Sequence, residues 1–212
     1  MNPQTKAIKG LYAVTPDSGD TDALLAMTQA VLAGGARIVQ YRNKTASPAL
    51  RREQAGALLR VCNDHSAILI VNDHVLLAAE IGAHGAHIGG EDGTLAAARG
   101  ILGPDKIIGV SCYRDLDRAQ AATDGGADYI AFGGFYASTV KPGATRAPLS
   151  LLTSARALGL PVVAIGGITP GNAQALIRAG ADAVAVITAL YAAPDIGTAA
   201  QQFCKLFDSR TP

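Results

Sequence analysis

Short β-type runs and helix-compatible stretches alternate eight times along the sequence, and seven of the eight runs lead into polar or glycine-rich groups suited to chemistry. Gln40, Arg42 and Lys44 follow Arg37-Ile38-Val39, and Asn72 and Asp73 follow Ile68-Leu69-Ile70-Val71. Asp92 comes soon after Ala86-His87-Ile88, and Ser111 ends Ile107-Ile108-Gly109-Val110. Ser138 and Lys141 lie beyond Tyr129-Ile130-Ala131-Phe132. Gly166-Gly167 closes Val162-Val163-Ala164-Ile165, and Thr188 closes Ala183-Val184-Ala185-Val186-Ile187. Near-continuous apolar runs suit parallel strands buried on both faces. Eight strand–helix units with right-handed crossovers close most readily as a single (β/α)8 TIM barrel, with a doubly wound open sheet as the second choice. In a barrel all these groups gather at the C-terminal mouth of the strands, where barrel enzymes place their active sites.

The spacing predicts strands β1 (10–14), β2 (37–41), β3 (68–71), β4 (86–88), β5 (107–110), β6 (128–132), β7 (161–165) and β8 (183–187). Helices are expected near 22–33, from 48 through Leu58 and Leu59, and near 74–81, 94–101, 115–123, 149–157, 172–179 and 196–207. Ser47-Pro48 suits an N-cap followed by the first helical position, and Asp22 suits a first helical turn. A weak repeat, Gly35-Ala36, Gly85-Ala86, Gly126-Ala127 and Gly180-Ala181, stands between a helix and the next strand, where glycine suits a left-handed helix terminus. The one long irregular segment, 133–148, reads as a mobile lid carrying Lys141, or else as a tolerated surface loop.

Composition sets bounds. The 212 residues fit one domain spanning 1–212, a compact barrel whose core is built from Ala, Val, Ile and Leu without any Trp. A net charge of +1 gives no broad field for nucleic acid or an anionic membrane, so any attraction for phosphate must be local. Residues 1–9 are too polar for the apolar region of a signal peptide, and no run approaches the length of a membrane helix. Cys62, Cys112 and Cys204 lack metal-ligand spacing, so a reduced, cytoplasmic protein is expected. Cys112 beside Ser111 reads as a small buried residue rather than a nucleophile. Oligomeric state stays open, a homo-oligomer included.

Asp73 and Asp92, on neighbouring strand ends, could share a hard divalent cation such as Mg²⁺, which takes one or two carboxylates and completes its shell with water and phosphate oxygens. They could equally cap the following helices. Arg42, Lys44 and Lys141 would reach the same mouth, and Ser111 adds a hydroxyl; together they suit a diphosphate that is held and then released. Against this, Arg42 and Lys44 could be simply solvated. Alternate residues 40, 42 and 44 share one side while strand geometry lasts. Gly166-Gly167 and Thr188 suggest a second phosphate site after β7 and β8, unless the glycines are structural. Asn-Asp-His occurs at 63–65 and 72–74; the first copy reads as a turn at the opposite end, and His84 and His87 read as structural.

With these residues placed, the chain resembles the thiamine phosphate synthase family along almost its whole length. The matching strings are Val39-Gln40-Tyr41-Arg42-Asn43-Lys44, Ile70-Val71-Asn72-Asp73, His87-Ile88-Gly89-Gly90-Glu91-Asp92 and Ile108-Gly109-Val110-Ser111. They continue through the Ser138–Lys141 loop, Ala164-Ile165-Gly166-Gly167-Ile168-Thr169 and Val186-Ile187-Thr188-Ala189. The resemblance implies coupling of 4-amino-2-methyl-5-(diphosphomethyl)pyrimidine to 4-methyl-5-(2-phosphoethyl)thiazole, or its carboxylated form, giving thiamine phosphate and pyrophosphate. It implies Mg²⁺ on Asp73 and Asp92, and a pyrimidine diphosphate held by Gln40, Arg42, Lys44, Asn72, Ser111 and Lys141. Ser138, Thr139, Val140, Gly167, Ile187 and Thr188 would hold the thiazole phosphate. Of these, Arg42, Lys44, Ser111 and Lys141 would serve catalysis, in a dissociative reaction in which diphosphate leaves before the thiazole nitrogen attacks.

Two positions depart from the family pattern. Ala137-Ser138-Thr139-Val140-Lys141 stands where the family often has Pro-Thr-x-Thr-Lys, so Val140 offers no hydroxyl, and Gly90 replaces a frequent glutamine. A related barrel that isomerises a thiazole phosphate would not need the Arg42, Lys44, Asp73 and Asp92 apparatus. A non-catalytic phosphate-ligand sensor would bind both ligands without releasing pyrophosphate.

Overall fold

The structure, a computed structural model, describes residues 8–137 and 146–208. Eight parallel strands close into a barrel in chain order: β1 (Gly10–Val14), β2 (Ile38–Tyr41), β3 (Ile68–Asn72), β4 (Gly85–Ile88), β5 (Ile107–Tyr113), β6 (Tyr129–Gly133), β7 (Val162–Ile165) and β8 (Ala183–Val186). β8 pairs back onto β1 through Gly10↔Ala183 to Ala13↔Val186, so the open-sheet alternative is excluded. The surrounding helices are α1 (Thr21–Ala33), α2 (Pro48–Asp64), α3 (Val75–Ile81), α4 (Leu95–Leu102), α5 (Leu116–Asp124), α6 (Ser150–Ala155) and α7 (Pro170–Ala179). After β8 comes a short helix that the sequence reading lacked, α8 (Thr188–Tyr191), then α9 (Ile196–Asp208).

Local chemistry accounts for most boundaries. Ser47 accepts from the Leu50 N–H and Pro48 opens α2, as the residue pair predicted. Asp20 rather than Asp22 caps α1, accepting from the Ala23 N–H, while Asp22 places its charge in the first turn. Helix α7 starts two residues earlier than expected, with Pro170 in its first turn and the Asn172 side chain accepting from the Thr169 N–H at 2.9 Å. The Asn63-Asp64-His65 copy is the last turn and C-cap of α2 rather than a separate turn.

The glycine repeat needs one correction. Gly35, Gly126 and Gly180 do adopt left-handed backbone, with φ of 107°, 83° and 119°. Gly85 does not; it lies inside β4, and Gly82 (φ 72°) makes the left-handed turn before it. A Cβ on Gly85 would stand 2.1 Å from the Ile107 carbonyl oxygen, so glycine is required there by the close approach of β5.

Successive strand residues point to opposite faces. One set packs outward beneath the helices, as Leu69 does with Leu24 and Leu58. The other fills the lumen, where Ile8, Ile38, Ile70, Ile107, Val163 and Ala183 form an apolar floor with Tyr12 and Tyr129 above. Fully burying such a side chain stabilises by ~1.5–3 kcal/mol, so the floor can carry the barrel. Two residues further along the same faces the lumen turns polar: Ile38 gives way to Gln40 and Ile70 to Asn72. On β5, Gly109 separates Ile107 from Ser111; a Cβ at Gly109 would come 1.9 Å from the Tyr129 ring, so its absence lets that tyrosine cross the lumen.

Candidate active site

Strand β2 runs out at Tyr41, and the next residues are held by β1's exit. The Thr15 hydroxyl donates to the Arg42 carbonyl at 3.0 Å and accepts from the Arg42 N–H at 2.9 Å. One oxygen of Asp17 accepts from the Arg42 guanidinium at 3.2 Å and from the Lys44 N–H at 2.8 Å. Asn43, buried between the two cations, donates to the Ser18 carbonyl and to Gln54. The three residues 42–44 are thus fixed as a loop, and regular strand alternation does not extend to Lys44. The one run that lacked an obvious functional group, β1, supplies the brace. Asp17 was not among the residues that the sequence singled out.

The two acids meet. Asp73 sits in left-handed backbone (φ 63°), with its N–H donating to the His87 carbonyl and the His74 N–H donating to the Asn72 carbonyl across it. Asp tolerates this region better than most residues, and such outliers gather at functional sites. Asp92 is turned back by accepting from the Gly89 N–H at 2.7 Å. Burial, then hydrogen bonding and repulsion from Asp92, push the Asp73 carboxyl up to about 6, against the opposing pull of Lys44 and Arg42. Neither acid caps the helix after it: α3 has no side-chain cap, and Thr94 caps α4 by accepting from the Ala97 N–H. Beside the pair a cavity of about 450 Å³ opens outward between α2, α3 and α4, lined by Arg51, His74, Leu76 and Thr94 among others.

Below the acids lies a polar layer that the sequence reading did not assemble. Gln40 Nε2 donates to Tyr12 Oη at 2.9 Å, and Tyr12 Oη lies 2.7 Å from Tyr129 Oη. His87 places Nδ1 3.0 Å from Tyr129 Oη and Nε2 2.8 Å from Ser111 Oγ. Burial pushes the His87 imidazole down to about 4, against the pull of Asp92, so the ring is neutral near neutral pH. His87 is therefore in the lumen and touches a predicted site residue. Its in-phase position with Gly85 on β4 was the available signal.

Around Ser111 the strand is irregular. The β5–β6 register shifts between Ser111 and Tyr113, and Tyr113 has φ 52°. Arg118 Nε donates to the Ser111 carbonyl at 2.7 Å and its guanidinium lies 5.5 Å from the centre of the Tyr113 ring. Tyr113 Oη accepts from the Gly90 N–H at 3.0 Å, and a Cβ at Gly90 would come 3.2 Å from that oxygen. Tyr113 thus occupies the space next to the position where the family often has glutamine. The Cys112 thiol donates to the Val110 carbonyl and burial pushes it up to about 11, which leaves it protonated at neutral pH.

At β7 and β8, Gly166 and Gly167 have φ of 111° and 60°. Their missing side chains are accounted for by packing: a Cβ at Gly166 would stand 2.6 Å from Gly134 Cα, and one at Gly167 2.2 Å from the Ala137 oxygen. The exit of β6 therefore lies directly over this glycine pair. Ile187 precedes α8, accepting through its carbonyl from the Tyr191 N–H at 2.9 Å, and Thr188 is the helix's first residue. Gln40, Arg42, Lys44, Asn72, Asp73 and Asp92 stand at or just beyond the ends of β2 to β4, whereas Ser111, expected to end β5, lies within that strand two residues before its last. Ser138, Thr139, Val140 and Lys141, with the centre of the proposed lid, lie outside the described residues.

A sequence model of the family described as thiamine monophosphate synthase matches residues 11–190. The chain belongs to the thiamine phosphate synthase family. It is 56% identical over 201 residues to a thiamine-phosphate synthase of Methylobacillus flagellatus, covering 95% of this chain and 96% of the relative. A thiamine-phosphate synthase of Thioalkalivibrio sulfidiphilus is 50% identical over 210 residues, 98% of this chain and 100% of its own. Among solved structures, a thiamine phosphate pyrophosphorylase from Pyrococcus furiosus superposes with a TM-score of 0.82 at 30% identity, covering 94% of this chain and 96% of that one. The protein is accordingly an enzyme, a transferase of thiamine biosynthesis. Among the described residues no helix is long and apolar enough to cross a membrane.

Proposed function

We propose that this thiamine phosphate synthase couples 4-amino-2-methyl-5-(diphosphomethyl)pyrimidine to 4-methyl-5-(2-phosphoethyl)thiazole or its carboxylated form, releasing pyrophosphate. The observation that carries the reading is the acid pair: Asp73 and Asp92 face each other at the mouth within the electrostatic reach of Arg42 and Lys44. Among the described residues no group of three or more His, Cys, Asp or Glu side chains is placed to hold a metal ion. Two carboxylates suit Mg²⁺, which needs only one or two of them. When bound there, the ion would neutralise part of the diphosphate charge.

The chain's own residues do the rest. Arg42 and Lys44 hold diphosphate oxygens, with Asp17 fixing their loop. Ser111 and Asn72 approach the same ligand from β5 and β3, and Gln40 orients the ring from the polar layer below. Lys141 completes the cationic set in this reading. Ser138, Thr139, Val140, Gly167, Ile187 and Thr188 take the thiazole phosphate, which agrees with the use of the loops after strands 7 and 8 and a short extra helix for phosphate in this fold. No nucleophile is required, because the electron-rich aminopyrimidine stabilises the methylene cation left when diphosphate departs. Alignment of the thiazole nitrogen and exclusion of water then decide the outcome.

The test is a coupling assay with both purified substrates. Pyrophosphate should form only with both substrates and Mg²⁺ present, and undiminished release in excess chelator would refute the metal assignment. Departure of diphosphate before attack predicts that a heavy oxygen label in the bridging position scrambles into non-bridging positions without thiazole phosphate; retention of the label would refute that order.

A further inference from the structure

We propose that Tyr12, Tyr129 and His87 form a directional hydrogen-bond relay that fixes the Ser111 hydroxyl as a donor into the mouth, making His87 and Tyr129 positioning residues for the reaction. The inference rests on the reading above that Ser111 contacts the pyrimidine diphosphate. It follows from counting hydrogens along four contacts.

Gln40 Nε2 donates to Tyr12 Oη at 2.9 Å, which uses one lone pair of that oxygen. Tyr12 is 1% exposed, and its single hydroxyl hydrogen has the Tyr129 oxygen, 2.7 Å away, as its partner. A buried hydroxyl hydrogen left unpaired would be costly, so it points to Tyr129. Tyr129, 0% exposed, must then give its own hydrogen to His87 Nδ1 at 3.0 Å. A neutral imidazole that accepts at Nδ1 carries its hydrogen on Nε2. That hydrogen goes to Ser111 Oγ at 2.8 Å. The Ser111 hydrogen is the one left over, available to an acceptor in the mouth.

The reverse order requires the Gln40 amide to turn over. Ser111 would then spend its hydrogen on His87 and present only lone pairs to the mouth, which phosphate oxygens repel. An anionic ligand therefore selects the first order. Ring packing maintains the geometry: His87 and Tyr129 stack at 5.5 Å between centroids, and Tyr12 meets Tyr129 edge-on at 6.0 Å.

The experiment is a double-mutant cycle on kcat/KM for the pyrimidine diphosphate, with melting temperature followed in parallel. Tyr129→Phe keeps the ring and removes the relay's middle hydroxyl; it should lower kcat/KM about tenfold, the scale of one hydrogen bond to a charged group, and leave the KM for thiazole phosphate unchanged. His87→Gln, whose Nε2 can still donate to Ser111, should keep most of the rate that His87→Leu loses. In the Ser111→Ala background Tyr129→Phe should cost less than about threefold more, because residues acting through one group are non-additive. Losses that multiply in the double variant, or a Tyr129→Phe variant with unchanged kcat/KM, would overturn the relay. If His87→Leu fails to fold, the Tyr129 and Ser111 pair still decides. An unsubstituted enzyme that releases no pyrophosphate would overturn the functional reading and this inference together, whereas an active enzyme with multiplying losses overturns the inference alone.

Discussion

At the lower rim of the barrel the Asp128 carboxylate accepts from the Arg99 guanidinium at 2.6 Å and from the Ile108 N–H at 2.8 Å, while Arg99 also donates to the Gly103, Lys106 and Gly126 carbonyls. At the mouth, Asp73 and Asp92 face one another, and Asp73 holds its proton more tightly than a carboxyl ordinarily does. Both regions bring charged groups to strand ends, yet one pairs opposite charges through dense hydrogen bonding and the other brings like charges together. Pairing serves the fold. A carboxyl buried beside a second acid costs stability unless a ligand offsets it, so its presence at the mouth points to binding.

The two ends should respond in opposite ways when one acid is removed from each. Asp73→Asn or Asp92→Asn, which keep an acceptor oxygen and suit the local backbone, should lower turnover about a thousandfold, roughly 4 kcal/mol in the barrier, with no fall in melting temperature. Asp128→Ala should do the reverse: removing one partner of a largely buried ion pair costs about 3 kcal/mol, seen as a melting temperature ~6–12 °C lower for a chain of this size. Its folded fraction should turn over at the unsubstituted rate. A turnover loss at Asp128 without a stability loss would erase the distinction between the two ends. A smaller effect tests the brace: Asp17→Ala should raise the KM for the pyrimidine diphosphate ~3–10-fold, since the pair is partly exposed and such pairs are weak, and leave kcat nearly unchanged.

The contrast also explains what the sequence alone reveals. The barrel was legible because parallel strands buried on both faces leave unbroken apolar runs, and the placement of Gln40, Asn72 and Asp73 because they close or directly follow such runs. Ser47-Pro48 marked the start of α2 for the same reason: its chemistry is local. What escaped depends on contacts between distant segments. Tyr12 and Tyr129 stand 117 residues apart and share a hydrogen bond across the lumen. Gly109, read as part of an apolar run, makes room for that tyrosine. Asp17 gains its role only because the exit of β1 runs beside residues 42–44. Gly85 looked like a helix terminus because its neighbour Ala86 repeats a local pattern, but its reason is the Ile107 carbonyl on the next strand.

The smallest expected effect concerns the ionisation of Asp73, which burial opposes first and the hydrogen bond and charge of Asp92 oppose next. The folded-state carboxyl of Asp73 is raised to about 6 from an ordinary value of 3.8. A raised folded value means that the native state holds the proton more tightly than the unfolded chain does. The stability linked to it is fully present below about pH 4, and is lost as pH rises through about 6. In the absence of divalent metal, the unsubstituted enzyme at pH 7 therefore carries this penalty, and Asp73→Asn does not. A shift of this size corresponds to at most ~3 kcal/mol, which solvent screening at a half-buried site reduces to about 1 kcal/mol. Asp73→Asn should accordingly melt ~2–4 °C above the unsubstituted enzyme at pH 7, with the gain vanishing near pH 4. Adding Mg²⁺ at pH 7 should raise the melting temperature of the unsubstituted enzyme and leave the variant nearly unmoved, since the ion offsets the cost of a buried carboxylate beside Asp92, a cost that the amide has already removed. An equal response of both proteins to Mg²⁺ would mean that the ion binds elsewhere, and the mouth acids would then have to be explained by packing alone.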